Sequence, residues 1–271
     1  MRNFIISNHT FMVDRILFTS RLTELTGHRL RLYLYICRAV SVDPNNRYFY
    51  SYDRANKELK MTQSSYRGAL KWLEDHYFIK KTGKVSRANA YQVLFLPLFD
   101  GTNYYSRENL KRDRATFKHE GQGYVEFPVE LFQGSILANK TLWSDLRLRT
   151  IGLLYLYFWI DVYGGIDSNV LYVDSNDQYI IDDTLYTDLN CSHNRLINNI
   201  DFLIKQGLLT KVECIYRENK NSVGKEYQYI GDASVTASLP NDKKIKLLRF
   251  NIIPSHKLTN AQQRTNQGVL V

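Results

Sequence analysis

The chain has 271 residues, about twice the length of an ordinary domain, so two domains are expected, each able to bury its own core. Hydrophobic residues at 44% against charged residues at 23% exclude an intrinsically disordered chain. The 36 Lys and Arg against 27 Asp and Glu leave a net charge of +9, which favours a polyanionic partner such as nucleic acid or acidic lipid.

The start, "MRNFIISNHTFMVDR", has no charged segment followed by an apolar run and a cleavage site, so no export signal is read there. The segment "NHTFMVDRILF" reads as an extended lead into a helix that is apolar almost all round, with Leu30, Leu32, Tyr33, Leu34 and Ile36. That pattern suits a helix buried behind others. A short amphipathic helix, "YDRANKELK", follows, then a break and a new helix start at Thr62, placed to offer its hydroxyl as an N-cap. In that next helix Tyr66, Ala69, Leu70 and Leu73 recur at i, i+3, i+4 and i+7 as one inward stripe. The segment "YFIKKTGKVSRANAYQVLFL" then gives an apolar strand, a polar turn with Gly83 and a Tyr-rich return strand.

The first domain therefore spans residues 1–100, and residues 101–123, with Gly101, Gly121, Gly123 and a mixed-charge run, read as a polar, basic connector. After it the same order returns. "GYVEFPVELF" leads in, with Pro128 suited to the edge of an extended segment. "ILANKTLWSDLRLRTIGLLYLYFWIDV" then matches "ILFTSRLTELTGHRLRLYLYICRAVSV" at an offset of 120 that becomes 122 where Tyr33 meets Tyr155. "LKMTQSSYRGALKWLEDHYFIKK" aligns without gaps to "LNCSHNRLINNIDFLIKQGLLTK", 130 residues later, with Ser192 as N-cap and Leu196, Ile200 and Leu203 as the core stripe. Two matches in series, in the same order, point to a duplication. The second domain spans 124–236, and 237–271 reads as a C-terminal extension, partly disordered. One departure stands out: where the second copy ends its helix on Gly207, the first has Tyr77, which predicts a different helix end and a differently aimed hairpin.

A helix–turn–helix followed by a hairpin resembles the winged-helix superfamily, over most of residues 1–100 and 124–232. The fold class expected is mainly α with small β wings (α+β), as two tandem winged-helix domains related by internal duplication. "VEFPVELF", "LLYLYFWID" and "DLNCSHNRLINNIDFLIKQGLLTK" resemble the N-terminal domains of replication initiators from plasmids and phages of low-GC Gram-positive bacteria. Paired winged helices also resemble tandem-repeat transcription regulators of those bacteria. The resemblance implies a non-enzymatic, sequence-specific binder of double-stranded DNA, monomer or homodimer. It would act in plasmid or mobile-element replication or its control, or at a promoter or operator, and would meet the replication or transcription machinery.

If the helix after each turn enters a major groove, the side chains opposite its core stripe read the bases. In the first copy these are Gln63, Ser64, Ser65, Arg67 and Lys71; in the second, His193, Asn194, Arg195, Asn198 and Asp201. Gln pairs with adenine and Arg with guanine, Ser donates or accepts, and Lys71 suits phosphate. The two sets differ, so the target is expected to be asymmetric. Hairpin cations Lys81, Lys84 and Arg87, and Arg217, Lys220 and Lys225, are candidates for phosphate or minor-groove contact.

Competing signals are weaker. Cys37, Cys191 and Cys214 are widely spaced, which fits free thiols in a reducing cytosol, and nothing near Cys191 and His193 completes a metal set. No metal or cofactor is expected. Tyr104 and Tyr105 would matter in a nicking enzyme, but the six histidines never form the His-apolar-His motif those enzymes share. The twenty tyrosines are assigned to helix and hairpin cores rather than to base stacking. The most apolar run, "IGLLYLYFWI", stops at Asp161, short of the ~20 residues of a membrane span, so a cytoplasmic protein with no membrane partner is expected. The rival function is a protein–protein module gripping through Trp72, Tyr77 and Ile197. RNA binding is a third option, disfavoured by the narrow A-form groove.

Overall fold

The computed structural model describes residues 5–7, 9–18, 25–43, 45, 47–86, 88–94, 124–164, 172–174, 176–181, 183–218, 227–234 and 236–254. It is a mixed α+β chain with small sheets. In chain order the first elements are β1 (Ile5–Ser7), β2 (Thr10–Asp14), α1 (His28–Ser41), α2 (Tyr52–Leu59), α3 (Gln63–Asp75), β3 (Ile79–Val85) and β4 (Ala88–Val93). There follow β5 (Tyr124–Pro128), α4 (Gly134–Ala138), α5 (Asp145–Gly164), β6 (Tyr172–Val173), β7 (Tyr179–Ile180), α6 (Asp183–Leu189) and α7 (His193–Lys205). The last are β8 (Leu209–Glu218), β9 (Tyr227–Asp232), β10 (Lys243–Phe250) and β11 (Ile252–Pro254). No helix among the described residues is long and apolar enough to cross a membrane. The connector 101–123 and the tail beyond 254 lie outside the described residues.

The chain divides into two compact units, one of His9–Gly152 and the other of Met1–Asn8 with Leu153–Val271. The division falls within α5, after Gly152, so β5 and α4 pack with the elements of the first repeat.

In the first unit, β2 pairs antiparallel with β5, with Met12 directly opposite Glu126. Each strand runs into a short 3-10 helix, Arg15–Phe18 and Val129–Phe132, and both strands and both helices are 114 residues apart. Met12 and Glu126 are thus equivalent positions that face each other, and a local twofold axis passes between them, the geometry of a self-complementary interface inside one chain. Phe11, Phe18, Phe127 and Phe132 cluster about it with ring centroids 5.3 to 6.3 Å apart, all buried. Because the strands set this register, the expected match of Ile16 to Ile136 is displaced: Ile136 falls on α4. Gly152 lies under Phe18, and a Cβ there would come within 2.2 Å of its ring, so only glycine fits.

Two buried arginines repeat the symmetry. Arg31, on α1, donates to the carbonyls of Leu137 and Trp143 ahead of α5; Arg149, on α5, donates to those of Leu17 (2.8 Å) and Leu25 (2.9 Å) ahead of α1. Each helix thereby satisfies carbonyls of the segment that introduces the other. Asp145 adds a bond from the Gly27 amide at 2.7 Å, next to the start of α1.

As expected, Leu30, Leu32, Tyr33, Leu34 and Ile36 of α1 are buried. On α3, Tyr66, Ala69 and Leu73 are buried and Leu70 half-buried; on α7, Leu196, Ile200 and Leu203 are fully buried. Tyr48 and Tyr66 share a hydrogen bond of 2.9 Å within a tyrosine cluster under α3, and Tyr48 bridges to Tyr91 of β4. Tyrosine here is core material.

The second unit is built on a five-stranded sheet of order β7-β6-β10-β8-β9. Its central strand, β10, comes from the segment read in the sequence as an extension: Lys243 to Phe250 pair residue by residue with Tyr216 to Leu209 of β8. Phe250 packs edge-on to Tyr155 of α5 at 5.1 Å. Beside the sheet, β11 pairs in parallel with β1, joining the two ends of the described chain.

Candidate nucleic-acid interface

Both helix–turn–helix segments are built alike. The turn after α2 passes through Lys60 and that after α6 through Asn190, left-handed with φ of 50° and 46°. Thr62 and Ser192 then take the extended N-cap conformation. Thr62 makes the cap expected of it, accepting from the Ser65 amide at 3.2 Å, whereas Ser192 makes no side-chain cap bond.

The helix ends also coincide, which corrects the expectation for Tyr77. Tyr77 adopts the left-handed backbone of Gly207, with φ of 61° against 73°. The amides of His76, Tyr77 and Phe78 return to the carbonyls of Trp72, Glu74 and Leu73; those of Gln206, Gly207 and Leu208 return to Phe202, Ile204 and Leu203. Every partner is 130 residues from its counterpart. The 6→1 bond closing each end is a Schellman-type stop, which dictates the backbone whatever side chain sits there.

On α3, Gln63, Ser64, Arg67 and Lys71 are exposed, opposite the core stripe. Gln63, Arg67 and Lys71 stand four residues apart and form one row. Ser65 is half-buried and engaged at the cap, its Oγ accepting from the Thr62 hydroxyl at 2.9 Å. Gly68 is exposed mid-helix, and a Cβ there would meet nothing within 4 Å.

On α7, His193, Asn194, Arg195 and Asn198 are exposed. The shared register sets Asn198 against Gly68 and Arg67 against Ile197, which is half-buried. Asp201, in the place of Lys71, accepts from the Tyr179 hydroxyl at 2.6 Å. That hydroxyl is held protonated well above the ordinary tyrosine range, by burial first and then by the bond to Asp201. The polar face of α7 is thus partly tied to the β6–β7 turn, which is anchored by Asp177 pairing with Lys211 and Lys246.

The hairpin cations separate into three groups. Lys81 and Lys84 are exposed on β3, beside the equally exposed Lys80 that the sequence reading passed over. Arg217 on β8 is bound side-on to Asp242, with both bonds at 2.9 Å. Asp242 is held down at about 2 by that arginine and by the Leu239 amide, so the Arg217 charge is already neutralised. Arg87, Lys220 and Lys225 lie outside the described residues.

Among the described residues no three His, Cys, Asp or Glu side chains are grouped to hold a metal. Cys37 and Cys214 are buried thiols and Cys191 is half-buried. Trp72 is half-buried, with the Arg29 guanidinium 4.3 Å over its ring and His76 stacked on it at 3.9 Å. The apolar surface open to a protein partner near α3 is therefore mainly Tyr77, 51% exposed.

The geometry defines an α+β chain carrying two helix–turn–helix segments, each followed by a hairpin and each presenting a different polar helix face. No family model matches the chain, and no curated protein or solved structure shows significant similarity to it.

Proposed function

We propose that the chain is a sequence-specific double-stranded DNA-binding protein. Two tandem winged-helix domains related by duplication give it two different reading heads, α3 and α7. The observation that carries this reading is the coincidence of turn, helix start and helix end in the two segments, 130 residues apart, set against exposed faces that differ residue by residue. A scaffold kept in register while its polar face varies fits two heads that read different half-sites. The process it serves is replication initiation of a plasmid or mobile element, or its control. The same heads would serve a transcription regulator, and the position of bound sites, repeated at an origin or single at a promoter, separates the two.

The test is selection of the full chain against a random duplex library at low salt. Enrichment of one asymmetric sequence, with affinity falling steeply as salt rises through counterion release, is the expected result. Failure to enrich any duplex, together with a stable protein complex recovered through Tyr77, would shift the reading to an interaction module.

A further inference from the structure

The last turn of α2 and the start of α4 flank an open surface groove of about 480 Å³, lined chiefly by Arg38, Lys57, Glu58, Lys60, Gln133 and Ser135. Its size suits a small group, and the charged and polar side chains along it favour a charged occupant over an apolar one. The single carboxylate is spoken for: Glu58 pairs with Arg38, whose guanidinium also donates to the Phe132 carbonyl at 3.2 Å. Lys57 and Lys60 are exposed and have no carboxylate partner among the described residues, so three cations against one carboxylate leave the groove with two uncompensated positive charges. The Lys60 backbone is held in place, since its left-handed conformation closes α2 with a hydrogen bond from its amide to the Asn56 carbonyl at 3.0 Å. Asn190, a residue that tolerates that conformation, fills the same position in the other copy; lysine adopts it at a conformational cost.

We propose that this groove seats a phosphate group, with Lys57 and Lys60 supplying the charge and Gln133 and Ser135 supplying neutral donors. The phosphate comes from one of two sources. It is either a backbone phosphate of a duplex read by α3, which rests on the DNA-binding function proposed above, or the phosphate of a small free ligand, which does not. In a helix–turn–helix the helix before the reading helix crosses the nucleic-acid backbone, and Lys57 lies in the last turn of α2, the helix before α3.

The experiment uses the full chain and its Lys57→Gln/Lys60→Gln double variant, both substitutions being at exposed positions. Sodium pyrophosphate is titrated into each at low salt while the backbone amide resonances of Gly134 and Ser135 are followed. In parallel, the salt dependence of binding to a selected duplex is measured. A saturable pyrophosphate shift that the double variant loses, with duplex binding unaltered, assigns a free phosphorylated ligand. A salt slope reduced by about 2 in the double variant, with the ranking of duplex sequences preserved, assigns the nucleic-acid backbone. A chain that enriches no duplex but shows the pyrophosphate shift loses the DNA reading and keeps the groove. Absence of both responses overturns the proposal.

Discussion

Tyr77 and Gly207 occupy the same left-handed position at the ends of α3 and α7, with φ of 61° and 73° and the same three closing hydrogen bonds. A side chain in that region costs roughly 1–2 kcal/mol against glycine. Tyr77 is 51% exposed and recovers only part of that through contact. Tyr77→Gly should therefore raise stability by about 1 kcal/mol, and Gly207→Ala should lower it by a similar amount. Thermal melts of the two variants check this; a drop in melting temperature for Tyr77→Gly would mean the tyrosine packs more than it strains.

The buried arginines give a larger effect. Arg149 is only 7% exposed and bonds two carbonyls more than 120 residues away in sequence, those of Leu17 and Leu25. Arg149→Ala leaves both oxygens buried without that donor, which should cost roughly 2–4 kcal/mol. Arg149→Lys should recover little, because one ammonium cannot reproduce a planar fork spanning two acceptors. Denaturant midpoints of the three proteins test this, and full recovery by lysine would show that charge rather than geometry holds the site.

What was legible in the sequence follows the range of the interaction. The stripes of Tyr66 to Leu73 and Leu196 to Leu203, the Thr62 cap and both hairpins rest on contacts a few residues apart, and period and turn chemistry reveal them. The β10 strand was missed because "KKIKLLRF" has no clean alternation and gains its place only by pairing with β8 and β6. Likewise Arg217 looked free because its partner Asp242 is 25 residues on, across a hairpin. At Tyr77 residue preference points away from the left-handed position, and the hydrogen bonds that fix the helix end, invisible in the sequence, impose it. Arg31 and Arg149 did leave a signal: a charge inside a helix apolar all round needs a buried partner.

His28 makes the fold sensitive to mild acid. Its Nε2 lies 2.9 Å from the Lys140 ammonium, a contact that the neutral ring alone can accept. Burial first, then Lys140 and Arg31, lower its pKa below 6.5, while Asp145 opposes them. Well above pH 6.5 the ring is neutral in both the folded and the unfolded chain, and the contribution is whole. As the pH falls from 6.5 through the folded value, the unfolded chain takes up a proton that the folded chain resists, and stability is lost. Denaturant midpoints at pH 7.5 and 5.5 should show that loss, and His28→Gln should reduce it; an equal loss in the variant would place the acid sensitivity elsewhere.

The exposed polar faces of α3 and α7 carry the most direct test of the proposed DNA binding. Arg67 is exposed in the row Gln63, Arg67, Lys71, and Asn198 is exposed on the corresponding face of α7. Both are exposed, so on the proposed DNA-binding function Arg67→Ala and Asn198→Ala should each weaken binding to a selected duplex by about 1–3 kcal/mol with the melting temperature unchanged. Arg217→Ala is the informative contrast. Its guanidinium is already bound at both ends by Asp242, a side chain 1% exposed that also accepts from the Leu239 amide at 2.7 Å. Removing it should loosen the turn before β10 and lower stability while leaving the salt slope of duplex binding intact. A slope reduced by about 1 in Arg217→Ala would show that the arginine leaves Asp242 for phosphate, and would return it to the interface.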